Sequence, residues 1–478
     1  MNKRVLAERL PVRVVIIGGG YTGVAYAIHL IAHTARALTI DIVEPAALLG
    51  RGIAYGTHNL AHRINVPIGR MSLYRNDPTH ATRWMMAQGV LPDAASTDER
   101  GLQYVARTHY GAYVADTLAR AVAGAAARVT LQHQQRRATS IDVCTTHRHI
   151  VHLNVGDPLP ADIVVLAFGH AVPVAPCALE PAVLAHPRLI SDPWQAGALD
   201  GIAPSEQVLL VGTGLTMADV LASLLRGGHR ALITAISRRG LLPKTHGEFG
   251  SIDFLAGVSP PRTARGLLRL ARERIVAHRP RDWHPVLDGL RAQLHLLWPA
   301  LPAVEQRRAV HRLLPFWEVH RFRIGPQVQA TLSRAIATCQ LNVLQAGVIS
   351  IAPVNDGLQC QLRLPGGLVR QARFDRVIFC TGPEKNIMRN PLIGVLLARG
   401  TVSLDAIGAG LAVDRQSRVL DASGEVVRGW YAYGPITRGT FGEMTGAPDI
   451  AQHVEELMRR SDPVAGFDQP LAKNAESV

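Results

Sequence analysis

The feature that most constrains the fold is an apolar strand that ends in three glycines and leads directly into a helix. Val12 to Ile17 is apolar except at Arg13, Gly18-Gly19-Gly20 follows it, and Tyr21 to Ala32 has the pattern of a helix. A second apolar run, Leu38 to Val43, closes at Glu44-Pro45. Because parallel strands need a crossover of this length, the segment predicts a βαβ unit and a parallel sheet.

The glycines of this turn have the spacing of a dinucleotide fingerprint, Gly18-x-Gly20-x-x-Gly23. In that fingerprint they allow a tight turn, a close approach of the backbone to a pyrophosphate and close packing of helix on strand. Glu44 ends the next strand, where a carboxylate binds ribose hydroxyls. The unit predicts a bound dinucleotide. The alternative is a glycine turn beside an exposed glutamate.

A second unit of the same kind lies inside the chain. The apolar strand Gln207 to Val211 runs into Gly212-x-Gly214, and Met217 stands where the fingerprint has a small residue. The next strand, Ala231 to Ile236, ends in Ser237-Arg238-Arg239 without a carboxylate, which favours recognition of a 2′-phosphate or another phosphate group. A packing turn and a solvated basic turn are the alternatives.

Two nucleotide-binding units in one chain predict two cofactors. The economical assignment is FAD in the first unit and NAD(P)H in the second, with a hydride passing between them. Alternating segments predict two small β-meanders, one from Val129 into the buried strand Ile163 to Phe168 and one over Val348 to Cys380. The predicted fold class is α/β, with two Rossmann-like domains, the NAD(P) domain being inserted into the FAD domain.

The predicted domain limits follow this order along the chain, with a helical segment by period from Thr263 to Val343. They are 1–195 for the first part of the FAD-binding domain, 196–345 for the NAD(P)-binding unit with the helical insertion, 346–465 for the second part of the FAD-binding domain, and 466–478 for a flexible tail.

The charge and the cysteine content of the chain indicate which molecules it binds and where in the cell it is expected. The chain has 478 residues, with 51 Lys+Arg against 37 Asp+Glu. The cations are scattered arginines with only four lysines, which favours a field that attracts anionic cofactors and substrates over nucleic-acid binding. Five isolated cysteines without a CxxC pair exclude a disulfide reductase and predict no zinc site. With no apolar run of about 18 residues, we expect a cytoplasmic protein without a membrane partner.

Further short motifs are spread over nearly the whole chain. They are Gly50-Arg51-Gly52-Ile53-Ala54-Tyr55-Gly56-Thr57, Asn65-Val66-Pro67, Met71-Ser72, Gly212-Thr213-Gly214-Leu215-Thr216, Ser237-Arg238-Arg239-Gly240, Trp317-Glu318-Val319-His320-Arg321 and Gly434-Pro435-Ile436-Thr437-Arg438-Gly439. Together they resemble the bacterial FAD/NAD(P)-binding family that includes an FAD-dependent urate hydroxylase, within the larger architecture of flavoproteins with two dinucleotide-binding domains.

The resemblance implies which residues hold the cofactors. For FAD they are Gly18, Gly20, Gly23, Glu44, Arg51 and Asn65, with Gly434 facing the flavin from the C-terminal side. For the nicotinamide dinucleotide the predicted residues are Gly212, Gly214, Thr216, Arg238 and Arg239. Met217 departs from the pattern there, and the sequence leaves NADH and NADPH open.

The segment Phe316 to Arg323 alternates aromatic and cationic residues. Rings that stack and guanidinium groups that pair would hold a planar anion such as a purine or an aromatic acid. His320, Arg321 and Arg323 are therefore the predicted substrate and catalytic residues. The alternative is an amphipathic helix with Arg and His on its wet face.

The predicted activity is that of an FAD-dependent, NAD(P)H-driven monooxygenase. By resemblance the substrate is urate, hydroxylated at C5 to 5-hydroxyisourate through a flavin hydroperoxide formed from dioxygen. One alternative is an amine N-hydroxylase or an NAD(P)H oxidase of the same architecture. Another is a non-catalytic FAD protein that serves as a redox sensor or electron carrier.

Two remaining clusters predict structural roles. His147-Arg148-His149, with Cys144 and His152, predicts an exposed hairpin tip rather than a metal site. Glu443 and Asp449 flank a glycine turn and are equally compatible with capping of the last helix. We therefore predict no metal and no catalytic role for either cluster.

Overall fold

The structure is a computed structural model that describes residues 10–144, 148–169, 173–278, 282–384 and 386–465. His147 of the predicted hairpin tip and the predicted tail 466–478 lie outside these residues. The strands are β1 (Val12–Ile17), β2 (Leu38–Val43), β3 (Val129–Gln134), β4 (Ala138–Asp142), β5 (His149–Leu153), β6 (Leu159–Ala161), β7 (Ile163–Leu166), β8 (Leu189–Ile190), β9 (Val208–Val211), β10 (Ile233–Ser237), β11 (Leu341–Gln345), β12 (Gly347–Val354), β13 (Gly357–Arg363), β14 (Val369–Phe374), β15 (Arg376–Phe379), β16 (Arg418–Leu420) and β17 (Val426–Ala432).

Helices connect and cover these strands. They are α1 (Tyr21–His33), α2 (Gly52–Tyr55), α3 (His80–Ala87), α4 (Arg107–Gly124), α5 (Pro181–Leu184), α6 (Leu215–Arg226), α7 (Ala264–His278), α8 (His284–Ala292), α9 (Leu294–Ala300), α10 (Ala303–Arg312), α11 (Leu314–Arg321), α12 (Pro326–Ala337), α13 (Pro391–Ala398), α14 (Arg438–Phe441) and α15 (Ala447–Arg460). In the part of the chain that the structure describes, none of them is long and apolar enough to cross a membrane.

The first sheet has six strands in the order β16-β17-β7-β1-β2-β3. Its central strand β1 pairs in parallel with β2 and with β7. Val14 and Ile16 pack into the core that contains α1, α4 and α15, whereas Val15 and Ile17 pack into the core with the meander β4–β6 and α13. Because both faces are covered, β1 is apolar at nearly every position.

The second sheet has five strands in the order β11-β10-β9-β15-β8 and is parallel throughout. Helices α6 and α12 cover one face, and the antiparallel strands β12–β14 lie on the other. Strand pairing therefore places 189–190 and 376–379 in this sheet, outside the predicted limits 196–345. The predicted limits fail because the sheet is completed late in the chain. After β11 the chain forms the antiparallel strands β12–β14 and only then returns as β15, between β9 and β8.

The prediction that a meander begins at Val129 is wrong. Val129–Gln134 forms β3, which pairs in parallel with β2 at the edge of the first sheet. The meander is the antiparallel set β4–β6. As an edge strand, β3 is buried on one side and exposed on the other, so its alternating pattern is the same as that of a meander strand.

Buried polar contacts join the two units. Arg107 of α4 pairs with Asp219 of α6 at 2.8 Å. His62 contacts Ser223 Oγ through Nε2 at 2.7 Å and Thr57 Oγ1 through Nδ1 at 2.8 Å. Because the Ser223 hydroxyl already donates to the backbone of Asp219, His62 Nε2–H donates and Nδ1 accepts. Burial lowers the pKa of His62 to about 4, so this imidazole is neutral at pH 7.

Candidate cofactor and substrate site

The first glycine turn leaves no room for side chains. Gly18 has φ +107°, and a Cβ there would lie 2.6 Å from the backbone nitrogen of Phe168. At Gly23 a Cβ would lie 1.9 Å from the carbonyl oxygen of Gly18. Gly20 is the N-cap of α1 and has no side chain over the helix end. The first N–H groups of α1 therefore face an open approach suited to a pyrophosphate.

Two predicted FAD residues lie at this turn. The Glu44 carboxylate accepts hydrogen bonds from Gly19 N–H at 3.0 Å and from Ala46 N–H at 3.1 Å. Each oxygen keeps a lone pair for a ribose hydroxyl. Arg51 follows Gly50, whose N–H donates to Gly19 at 2.8 Å. The Nε of Arg51 is buried without a hydrogen-bond partner, which fits a cation turned toward an anionic cofactor.

The C-terminal part of the chain meets the same helix end. Gly434 follows β17 with φ +78°, and a Cβ there would lie 2.7 Å from Thr22 Oγ1 in the first turn of α1. The glycine cradle and the unpartnered Nε of Arg51 fit a bound FAD.

The second glycine turn resembles the first in its opening half. Gly212 has φ +124°, and a Cβ there would lie 2.1 Å from the carbonyl oxygen of Cys380. Gly214 is the N-cap of α6, and Thr216 is half-buried in its first turn. Met217 is fully buried in the core under the sheet. It therefore packs against apolar side chains and does not lie over the turn.

The two arginines after β10 are exposed. Arg238 and Arg239 make no ion pair among the described residues, and the guanidinium of Arg239 lies 5.6 Å from the ring centroid of Phe316. Two cations without acidic partners near a dinucleotide turn are compatible with a phosphate ligand. Their predicted role in cofactor binding stays a prediction.

Of the predicted substrate residues at the end of α11 and just beyond it, the two arginines pair with acids. Arg321 pairs with Glu443 at 2.6 Å and with Asp449 at 2.9 Å, and its side chain is 9% exposed. Arg323 pairs with Asp288 at 2.8 Å. Glu443 and Asp449 are therefore ion-pair partners; neither caps α15 through its side chain.

His320 and the rings of this segment do not form a stacking slot. His320 Nδ1–H donates to Phe316 O at 2.6 Å, and its ring meets the ring of Trp283 edge-on at 4.7 Å. Phe316 is 48% exposed. The structure thus gives no support to a planar ligand held between aromatic rings here, and the catalytic role of His320 stays a prediction.

A cavity of about 250 Å³ opens between a loop of the first unit and helices α8 and α11. Asn65 forms part of its wall and links the two sides, because its Nδ2 donates to Arg323 O at 3.1 Å. The charged lining is Arg70, Arg291, Arg321, Arg323 and Asp288. The cavity is therefore polar and positively charged, which suits a small anionic ligand.

His246 also lines this cavity. Its Nε2–H donates to Asn65 O at 2.7 Å, and its Nδ1 is buried without a partner. Burial lowers the pKa of His246 to about 4, so Nδ1 carries a lone pair at pH 7. No sequence pattern marks His246, Arg70 or Arg291.

The comparisons with known proteins agree with this geometry. Residues 15–171 match a family model described as FAD-NAD(P)-binding. A curated relative, the L-aspartate N-monooxygenase (nitrosuccinate-forming) of Streptomyces davaonensis, is 30% identical over 269 residues, which are 48% of this chain and 41% of that protein. The match thus spans less than half of the length of that relative.

Solved structures share the whole architecture. The ornithine N-hydroxylase of Kutzneria sp. 744 matches with a TM-score of 0.64 at 15% identity, over 94% of this chain and 99% of that one. The ornithine hydroxylase from Pseudomonas aeruginosa, in its reduced form, gives 0.60 at 14% identity, over 94% and 99%. The fold is that of flavin monooxygenases with two dinucleotide-binding domains. FAD and NAD(P) are the cofactors that the family model and the glycine turns support.

Proposed function

We propose that this chain is an FAD-dependent, NAD(P)H-driven monooxygenase that hydroxylates the nitrogen of a small amine. The observation that carries the proposal is the similarity to the L-aspartate N-monooxygenase, together with the fold shared with ornithine hydroxylases. Bound FAD, once reduced, supplies the activation of dioxygen. The alternative of an amine N-hydroxylase is therefore better supported than hydroxylation of urate at C5.

The residues of the chain have three tasks in this proposal. The turn at Gly18 and the N-terminus of α1 hold the pyrophosphate, with Arg51 as its cation. The turn at Gly212 holds the nicotinamide dinucleotide. The polar cavity beside Asn65 binds and orients the substrate and keeps bulk water from the reacting nitrogen.

The test begins with the absorbance spectrum of the purified protein, to detect a bound flavin. NADPH oxidation is then measured with L-aspartate, L-ornithine and urate, and products are examined for one oxygen atom from labelled dioxygen. We expect a flavin spectrum and a rate that an amino acid stimulates, with the label on its nitrogen. Reactions without NADPH are the matched control.

Other outcomes would overturn the proposal. Stimulation by urate with its consumption would assign the urate hydroxylase. Equal NADPH oxidation with every compound, with peroxide as the sole product, would assign an oxidase. A protein that cannot be loaded with FAD would remove the basis of the proposal.

A further inference from the structure

We propose that the cavity beside Asn65 binds a small amino acid, with Arg70 pairing its side-chain carboxylate and His246 Nδ1 accepting a hydrogen bond from its amino group. The inference rests on the proposed function, because it names the class of amine and the residues that select it. It draws on three independent observations: the charge balance of the cavity, the unpartnered imidazole nitrogen and the cavity volume.

The first observation is the charge of the lining. Arg291 pairs with Asp449, Arg321 pairs with Glu443 and Asp449, and Arg323 pairs with Asp288. Among the described residues no carboxylate lies within ion-pair distance of Arg70, whose guanidinium lies 4.2 Å from the ring centroid of Phe249. Four guanidinium groups thus meet three carboxylates, and one positive charge is left for a ligand.

The second observation is an unpartnered acceptor, His246 Nδ1, in the lining of the same cavity. Asn65 O can only accept, so His246 Nε2 carries the proton and Nδ1 has the free lone pair. That nitrogen is buried and has no partner among the described residues. A buried acceptor without a partner loses its hydration with no compensation unless a ligand donates to it. An amine N–H is the donor that the proposed reaction brings.

The third observation is the size of the space. A cavity of about 250 Å³ lies below the usual range for drug-sized ligands and suits a compact amino acid. The surplus positive charge opposes a second ammonium group, so diamino acids and diamines are disfavoured. An amino acid with an additional carboxylate, such as L-aspartate, satisfies both Arg70 and His246.

The experiment measures binding by calorimetry on the FAD-loaded protein without NADPH. The probes are L-aspartate, succinate, which lacks the amino group, and putrescine, which lacks carboxylates. The variants are Arg70→Gln, Arg70→Lys and His246→Gln, since the amide nitrogen of glutamine can replace Nε2 as the donor to Asn65 O while its oxygen does not take the position of Nδ1. Arg100→Gln is the matched control, because Arg100 also lies near Phe249 but pairs with Asp98.

We expect Arg70→Gln to raise the Kd of L-aspartate and of succinate about tenfold or more. Arg70→Lys keeps the charge and recovers most of this loss, and Arg100→Gln stays within about twofold of the unaltered protein. His246→Gln is expected to raise the Kd of L-aspartate several-fold and to leave that of succinate unchanged, because only L-aspartate has the amino group.

The inference is overturned by any of three results: equal effects of Arg70→Gln and Arg100→Gln, tighter binding of putrescine than of L-aspartate, or no binding of L-aspartate or succinate. Because the assay needs no turnover, its outcome is separate from that of the proposed function. If Arg70→Gln left the rate of amine hydroxylation unchanged, the proposed function would be retained and only this inference would be overturned.

Discussion

The two glycine turns share their first half and differ in their second half. Gly18 and Gly212 both have positive φ, and a Cβ at either would strike the backbone that follows a neighbouring strand. At the third position Gly23 admits no side chain, whereas Met217 is fully buried in a core. The tight turn is thus common to both units, while the third position reflects how closely each helix packs on its turn.

The largest expected effect comes from adding a methyl group at each first glycine. Gly18→Ala forces an unfavourable φ and a backbone clash at the FAD turn, so we expect flavin content below a tenth of normal. Gly212→Ala has the same steric fault in the second unit, so we expect normal flavin content with flavin reduction by NADPH slowed at least about tenfold.

The measurements are the ratio of flavin to protein absorbance and the rate of anaerobic flavin reduction. Gly89→Ala is the control, since Gly89 also has positive φ, +67°, but a Cβ there would meet nothing within 4 Å. If Gly212→Ala lost FAD as completely as Gly18→Ala, the assignment of one cofactor to each unit would be wrong.

The next effect concerns the third position of the second turn. Met217→Ala leaves a cavity in the core, so we expect the free energy of unfolding of the second unit to fall by about 2–5 kcal/mol in urea titrations. The Michaelis constant for NADPH should change little. Met217→Leu nearly conserves volume and should lose less than about 1.5 kcal/mol. A large change in NADPH affinity at unaltered stability would instead place Met217 against the nucleotide.

The contact between the units predicts a pH dependence. The pKa of His62 is about 4 in the folded protein and near 6.5 when unfolded, so unfolding takes up a proton between these values. Stability is therefore lost as the pH falls through this window, by up to about 2 kcal/mol between pH 6.5 and 5.

Urea titrations at the two pH values test this expectation. His62→Gln should show a smaller loss of stability on acidification, and His58→Gln, which alters an exposed imidazole, should behave like the unaltered protein. Identical pH profiles for His62→Gln and the unaltered protein would show that His62 does not supply this sensitivity.

The smallest expected effect concerns the two arginines after β10, which distinguish the second unit from the first, where Glu44 stands at the corresponding place. Replacing Arg238 and Arg239 together by Ala should raise the Michaelis constant for NADPH about tenfold and that for NADH less than about twofold, because only NADPH carries a 2′-phosphate. Arg230→Ala, which removes an exposed arginine from the same unit, is the control. Equal losses for both cofactors would contradict a 2′-phosphate contact.

The parts of the fold that the sequence predicts are those whose residues satisfy local rules. Strands β1 and β9 are almost wholly apolar because both of their faces are buried, and a glycine turn follows each of them directly. Strand β8 has two residues, too few to show any period. The placement of β15 beside β9 depends on the three-dimensional order of strands, which no local pattern records.

In the candidate site, too, the residues that follow local rules are predictable and those that depend on distant contacts are not. Gly18, Gly20, Gly23 and Gly212 are readable from spacing, because one turn sets their geometry. The ion pairs of Arg321 join segments that are distant along the chain, so the alternating pattern of Phe316 to Arg323 does not reveal them. The lone pair on His246 becomes visible only once Asn65 O is found against its other nitrogen.

The strand order of both sheets bears on how the chain acquires its structure during synthesis. In the first sheet β7 pairs with β17, and in the second β9 pairs with β15. Each sheet therefore contains a strand that is synthesised long after the strand beside it. Such distant pairings slow folding and leave strand edges exposed in the nascent chain. A nascent chain that ends before residue 376 lacks the partner strands of both β9 and β7, so neither sheet can be completed until the ribosome has passed this point.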